Sequence, residues 1–311
     1  MKYLRWSSLI AALAVGCSQS KSPADAAIDL MPPPVTMPGE SDASAALVAA
    51  RPYNFHVPTG YNPAKPTPLL IMLHGYQSSG MGHEAYFHFT PVADAHGFLY
   101  AYPDGTLDSL KFRFWNATDG CCNLFMKAVD DVGYLNALID DVSAKYNVDP
   151  KRIYVVGHSN GGFMSHRTAC DLSPRVAAIV SLAGAQWNDA SKCQPTQKVS
   201  VLEIHGDADM TISYDAGYAG GYMGLAMHPS AHETVADWAN KNGCTGALAA
   251  TGTIDLVPSL SGAETRQESY AGCPAGTDVE LWTIANGPHM PDLSPMFAEI
   301  VYGFLSAHSK P

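Results

Sequence analysis

Three residues in this 311-residue chain have the types, and the order, needed for nucleophilic catalysis: Ser159, Asp209 and His289. A serine hydroxyl is a weak nucleophile at neutral pH and needs a base to take its proton as it attacks. Imidazole suits that task, and a carboxylate behind it fixes the tautomer and stabilises the imidazolium. Each of the three follows an apolar, β-branched run. Ser159 sits in Gly157-His158-Ser159-Asn160-Gly161 after Ile153–Val156, and Asp209 in His205-Gly206-Asp207-Ala208-Asp209 after Val199–Ile204. His289 sits in Asn286-Gly287-Pro288-His289 after Val279–Ile284. Gly157 and Gly161 lack the Cβ that would crowd a strand reversing at once into a helix. Two carboxylates compete for the acid role. The H-G-x-x-D spacing carries Asp209 past the turn, whereas Asp207 suits stabilisation of the turn itself.

To converge, these side chains need a frame of strands ending at one rim. The run Leu69–Leu73 is continuously apolar, as in a parallel strand buried on both faces. Further strands are expected at Arg51–Val57, Phe98–Pro103, Arg152–Val156, Val176–Leu182, Val199–His205 and Val279–Ile284. Helices are expected over Asp131–Lys145, from Asn160 through Thr168, over His232–Lys241 and over Phe297–Leu305. Asp130 and Asp131 read as cap or first-turn charges. The pattern predicts an α/β fold, a mostly parallel central sheet with helices on both faces.

The turn His74-Gly75-Tyr76 after the Leu69–Leu73 strand is placed to present a backbone N–H to a developing oxyanion. Tyr76 and Asn160 are the expected donors. Two long segments, 104–128 and 214–228, are expected to shape the substrate site. They make Trp115 and Tyr214, together with His158 beside the serine, the candidates for substrate contact. His83 and His88 are five apart, off a common helical face, and read as surface or packing histidines.

The composition is globular, with 47% hydrophobic and 15% charged residues. The net charge of -11 argues against nucleic acid, which needs a basic face. No metal-ligand or dinucleotide pattern is present, so no cofactor is expected. Met1–Trp6 is a basic n-region and Ser8–Gly16 a short apolar core, the layout of a signal peptide over residues 1–17. Leu13-Ala14-Val15-Gly16-Cys17 is similar to a bacterial lipobox, which would lipidate Cys17; simple cleavage and secretion is the alternative. Both place the protein outside the cytoplasm, with the membrane met only through that anchor. Residues 18–46 have a Ser/Ala/Pro linker composition, leaving 47–311 as the catalytic domain. Without Cys17 six cysteines remain, an even number suited to disulfides in an oxidising compartment. Six allow 15 connectivities. Cys170–Cys193 and Cys244–Cys273 would close local loops and leave Cys121–Cys122 as a vicinal pair.

Over residues 50–308 the chain resembles the secreted polyhydroxybutyrate depolymerase-like and feruloyl-esterase-like proteins, akin to carbohydrate esterase family 1. The likeness rests on Leu73-His74-Gly75-Tyr76 with Ser78-Ser79-Gly80, Trp115-Asn116 with Cys121-Cys122, and Val129-Asp130-Asp131-Val132-Gly133-Tyr134. It continues through Gly157–Gly162, His205–Asp209 and Gly287-Pro288-His289. The resemblance implies an α/β-hydrolase fold and a serine esterase acting on polyesters or on feruloyl and acetyl esters of plant polysaccharide. A peptidase of the same fold and a catalytically dead surface binding protein are the competing functions. The chain departs from the pattern at Tyr76, where depolymerases often carry Cys, and at Met290, where many members have Trp.

Overall fold

A computed structural model describes residues 40–311. The expected signal peptide, Cys17 and residues 18–39 of the expected linker lie outside the described residues. The first element, α1 (Glu40–Ala50), begins inside the stretch expected to be linker, seven residues before the expected domain start. It is alanine-rich, and alanine is the best helix former.

The elements then follow as β1 (Tyr53–His56), β2 (Thr67–Leu73), α2 (Gly80–Phe87), α3 (Phe89–His96), β3 (Leu99–Pro103), β4 (Thr106–Leu107) and β5 (Arg113–Phe114). After them come α4 (Asp131–Lys145), β6 (Val148–His158), α5 (Asn160–Asp171), β7 (Ala178–Leu182), β8 (Ser200–Gly206) and α6 (Ala231–Asn242). The chain closes with β9 (Leu248–Ile254), β10 (Thr265–Tyr270), β11 (Val279–Ile284) and α7 (Phe297–Ser306).

Nine strands form one sheet in the order β1-β3-β2-β6-β7-β8-β11-β10-β9. The six from β3 to β11 are parallel, while β1 pairs antiparallel with β3, and β10 with β11 and β9. Alternation along β2 explains the layering. Leu69, Ile71 and Leu73 face a core filled from α4, α5 and α6 by Leu138, Phe163 and Trp238. Leu70 and Met72 face a second core with Phe87 and Phe89 from the first helices and Phe297 and Val301 from α7. Helices therefore cover both faces, and every residue of β2 is buried, which is why its sequence is apolar from Pro68 to Leu73 rather than alternating.

The expected helices over 131–145 and 160–168 and the strands at 69–73, 199–205 and 279–284 are present within a few residues. Asp130 caps α4, accepting from Gly133 N at 2.7 Å. Asp131 does more than an end charge. Buried, it accepts from Arg51, just past α1, and from Asn116 N, both at 2.6 Å, tying these two segments to the start of α4. The bonds Cys121–Cys122, Cys170–Cys193 and Cys244–Cys273 are all present. Among the described residues no helix is long and apolar enough to cross a membrane.

Candidate functional site

Because β2, β6, β8 and β11 run parallel, their C-terminal ends share one edge, and the turns that follow them meet there. The turn after β6 is the tightest. Ser159 sits at φ 57°, ψ −123°, a backbone that L-residues adopt only when the surroundings enforce it. Two glycines make the enforcement workable. A Cβ on Gly157 would strike the carbonyl of Gly161, and one on Gly161 the carbonyl of Leu73.

At this edge His289 Nε2 lies 3.0 Å from Ser159 Oγ, and its Nδ1 lies 2.7 Å from Asp209 Oδ2. The structure brings together three groups separated by up to 130 positions, within hydrogen-bond reach. The other oxygen of Asp209 accepts from Thr211 N at 2.7 Å and Ile212 N at 2.9 Å, so the carboxylate is fixed on both sides. Asp207 is outside this chain. Exposed, it accepts from Asn286 N at 2.6 Å and binds the turn after β8 to the turn carrying His289.

Behind the carboxylate runs a buried polar file that the sequence reading missed. His205 Nε2 donates to Ile212 O at 2.9 Å and stands 3.4 Å from Asp209 Oδ2. Its Nδ1 lies 3.3 Å from Glu203 Oε1 without hydrogen-bond alignment, so that contact is one of charge. Glu203 Oε2 accepts from His166 Nε2 at 3.0 Å, and Trp238 Nε1 donates to His166 Nδ1 at 3.0 Å. An indole N–H only donates, so His166 Nδ1 must accept and its proton sits on Nε2, aimed at Glu203. Burial opposes charge on His205, yet the carboxylates of Asp209 and Glu203 outweigh it and raise its pKa to about 9. His205 is thus a buried cation between two carboxylates. Burial likewise opposes ionisation of Asp209, but hydrogen bonds from His205 and His289 hold its pKa well below the ordinary carboxylate range. The signal was available in sequence as Glu203 and His205 alternating on one face of an otherwise apolar strand.

A second histidine file supports the backbone of His289. His158 Nε2 donates to the His289 carbonyl at 2.9 Å, and its Nδ1 faces His83 Nε2 at 3.1 Å. His83 Nδ1 in turn meets Ser78 Oγ at 2.9 Å. Burial pushes His158 down to about 3 and His83 well below the ordinary value, so both are neutral. His83 is a packing histidine, and a buried one.

The three residues expected to contact substrate are each held by other parts of the protein. His158 is 2% exposed with both ring nitrogens occupied inside the protein. Trp115 is fully buried and its Nε1 donates to the His74 carbonyl at 3.0 Å. Tyr214 has its hydroxyl 2.7 Å from Thr283 Oγ1 and packs edge-on against His205. All three carry the frame of the site. Large aromatic and imidazole groups next to a nucleophile are as useful for holding loops as for holding a ligand, and sequence does not separate the two.

The cleft over Ser159 measures about 500 Å³ and is open, with Tyr76, Gln77, Thr211 and Met290 on its walls. Asn160 is the first residue of α5, where N–H groups have no intrahelical acceptor. Its side chain clamps the Trp115 backbone, accepting from Trp115 N at 2.7 Å and donating to Trp115 O at 3.0 Å. Tyr76 is steadied by its hydroxyl, which donates to Asp108 at 2.6 Å. The arrangement is suited to attack by an activated hydroxyl on an electrophilic carbonyl.

A model of the phospholipase/carboxylesterase family matches residues 124–226. The chain is 30% identical over 236 residues to feruloyl esterase B of Piromyces equi, covering 75% of this chain and 41% of that protein. It is 26% identical over 262 residues to poly(3-hydroxyalkanoate) depolymerase C of Paucimonas lemoignei, covering 77% and 58%. The chain thus spans about half the length of these curated relatives. Among solved structures, acetyl xylan esterase from Aspergillus awamori superposes with a TM-score of 0.58 at 15% identity, covering 81% of this chain and 93% of that one. The sheet order, the strand-turn-helix serine and these likenesses agree: the chain has the α/β-hydrolase fold and resembles the feruloyl-esterase-like and polyhydroxyalkanoate depolymerase-like proteins.

Proposed function

We propose that the protein is a serine carboxylesterase working through an acyl-enzyme. Ser159 Oγ attacks the ester carbonyl carbon while His289 Nε2 takes its proton. The N–H groups of Tyr76 and Asn160 hold the oxyanion, each donor contributing about 2.7–4 kcal/mol. Collapse breaks the bond to the alcohol, which leaves with the proton from His289. Water then attacks the acyl group through the same base and releases the acid and free Ser159. Asp209 keeps the Nδ1–H tautomer and carries the charge opposite the imidazolium.

The observation that carries this reading is the continuous pair of hydrogen bonds from Ser159 through His289 to Asp209, at 3.0 and 2.7 Å. The ester class is supported by the relatives' names, and the candidates are aliphatic polyesters and feruloyl or acetyl esters of polysaccharide. Three disulfides support an extracytoplasmic setting, reached by cleavage after residues 1–17 or by lipidation at Cys17. Ser159→Ala is expected to abolish hydrolysis of p-nitrophenyl acetate and labelling by a fluorophosphonate, with the circular dichroism spectrum unchanged. Activity retained in that variant defeats the reading.

A further inference from the structure

Ser78 and Ser79 stand side by side after β2, and their hydroxyls do different things. Ser79 caps α2, its Oγ accepting from Gly82 N at 3.1 Å. Ser78 caps nothing. It is half-buried and lines the cleft over Ser159. Among the described residues its Oγ has one hydrogen-bond partner, His83 Nδ1 at 2.9 Å. A tight turn delivers it to that wall. Ser78 N donates to Gly75 O at 3.2 Å, and Gln77 takes a φ of 69°, the sign that a type II turn requires at its third residue. Gly75 abuts the nucleophile, since a Cβ on it would stand 3.3 Å from Ser159 Cβ. The turn therefore folds the Ser78 hydroxyl back toward the residue that touches the reacting serine.

The direction of its proton follows from the far end of the histidine file. A carbonyl oxygen only accepts, so His158 must carry a proton on Nε2, aimed at His289 O. The ring nitrogens of His158 and His83 meet only each other, the His289 carbonyl, Gly75 N and Ser78 Oγ. Both rings are buried. A buried imidazolium without a counter-ion is costly, so both are neutral.

His158 Nδ1 then holds a lone pair and accepts from His83 Nε2–H at 3.1 Å. Gly75 N also points at His83 Nε2, at 3.4 Å. That contact is longer than a well-formed hydrogen bond. Leaving Nε2 bare for it would set two lone pairs face to face at 3.1 Å, so the proton belongs on Nε2. His83 Nδ1 is consequently an acceptor, and the donor that meets it is the Ser78 O–H. The one proton of Ser78 is engaged inside the protein. Its oxygen has only lone pairs left to offer the cleft.

We propose that Ser78 is a specificity-determining residue, whose hydroxyl oxygen accepts a hydrogen bond from a hydroxyl group that the ester substrate carries near its scissile carbonyl. The assignment rests on the esterase reading and narrows its substrate class to hydroxylated esters. A hydroxyl placed there donates to the waiting oxygen. A methyl group displaces water and leaves that oxygen unpaired, while a methyl ether sets oxygen against oxygen. The hydroxyl can belong to the acyl part or to the alcohol part of the ester, and the chemistry recognised is the same.

Two series of soluble esters, given to the full-length protein, test this and separate the two positions. In the acyl series methyl 3-hydroxypropanoate is compared with methyl butanoate and methyl 3-methoxypropanoate. In the alcohol series 2-hydroxyethyl acetate is compared with propyl acetate and 2-methoxyethyl acetate. The parent is expected to prefer the hydroxylated member of one series by about three- to tenfold in kcat/KM, the worth of one hydrogen bond. Ser78→Ala is expected to bring that ratio to about one. Because the ratio is taken within each protein, the loss of the Ser78–His83 bond and any damage to the frame cancel from it. A preference that survives in Ser78→Ala overturns the assignment, and so does a methoxy ester cleaved as well as its hydroxylated counterpart. Hydrolysis without preference in either series sinks the role of Ser78 alone. A parent that cleaves none of these esters, nor p-nitrophenyl acetate, sinks the esterase reading and the role of Ser78 with it.

Discussion

His205 carries the sharpest consequence at the scale of single residues. It is a buried cation gripped by two carboxylates, and removing one partner of such a group is costly because the remaining charge stays out of water. Glu203→Gln is therefore expected to lower stability by about 3–5 kcal/mol, read as a drop in the urea midpoint at unchanged slope. Asp209→Asn leaves the volume intact but exchanges an acceptor for an amide that favours the wrong imidazole tautomer. Its expected cost is about 10⁴-fold in kcat, measured on p-nitrophenyl acetate. Ser159, His289 and Asp209 were legible in sequence because each follows an apolar run and a glycine turn. Glu203 and His166 were not, since their meaning depends on burial and on Trp238, which lies 72 positions from His166. The hydrogen bonds that hold Trp115 and His158 in place were hidden for the same reason: residue type suggests a role, but the direction of the side chain is set only by the fold.

At the scale of elements, the turn after β6 and the disulfide after α5 make separate predictions. Gly161→Ala would drive a methyl group into the backbone carbonyls of Leu73 and His74. Neither can yield without moving β2, so the expected outcome is loss of soluble, active protein, checked by expression and by fluorophosphonate labelling. Cys170–Cys193 joins the end of α5 to the segment before β8 across 23 positions. Chain-entropy reasoning for a loop of that length gives about 3 kcal/mol, so C170S/C193S is expected to melt earlier while keeping the parent's catalytic rate at room temperature. The central strands could be read because both their faces are buried. The antiparallel pair β9 and β10 escaped the reading. Leu248–Ile254 is nearly all exposed and contains Gly252, and Thr265–Tyr270 is mostly polar. β9 ends the sheet and β10 lies next to it, and with few of their residues buried the hydrophobic signal fades. Helix α2 was missed for a similar reason, since its buried positions are taken by Gly80, His83 and Phe87 rather than by an aliphatic stripe.

At the scale of the whole molecule, the buried histidines set an expected pH optimum of stability. Burial lowers His74 to about 4 and His158 to about 3, and it also lowers His83 and His228. His74, His83 and His158 are neutral when folded and protonated when unfolded below pH 6.5, so stability falls with acidification by about 1.4 kcal/mol per pH unit per histidine, with His228 acting in the same direction. His205 works in the opposite sense. Raised to about 9, it adds stability that is complete below 6.5 and declines as pH rises toward 9. The melting temperature should therefore peak near pH 6.5, with the steeper slope on the acid side. Calorimetry from pH 5 to 8 checks this, and a flat profile refutes the assigned protonation states.

The hydrogen bond from His158 to the carbonyl of His289 has a further implication for how such a protein can diversify. Ser159 and His289 do not hang on independent loops, because His158 grips the main chain of His289. The reacting pair forms a rigid chassis. The loops holding Asn116–Met126 and Gly217–Met227 are tied instead to Asp131 and to each other, through Asn116 N and from Ala226 N to Asp119 O, so they can vary while the pair beneath them stays aligned.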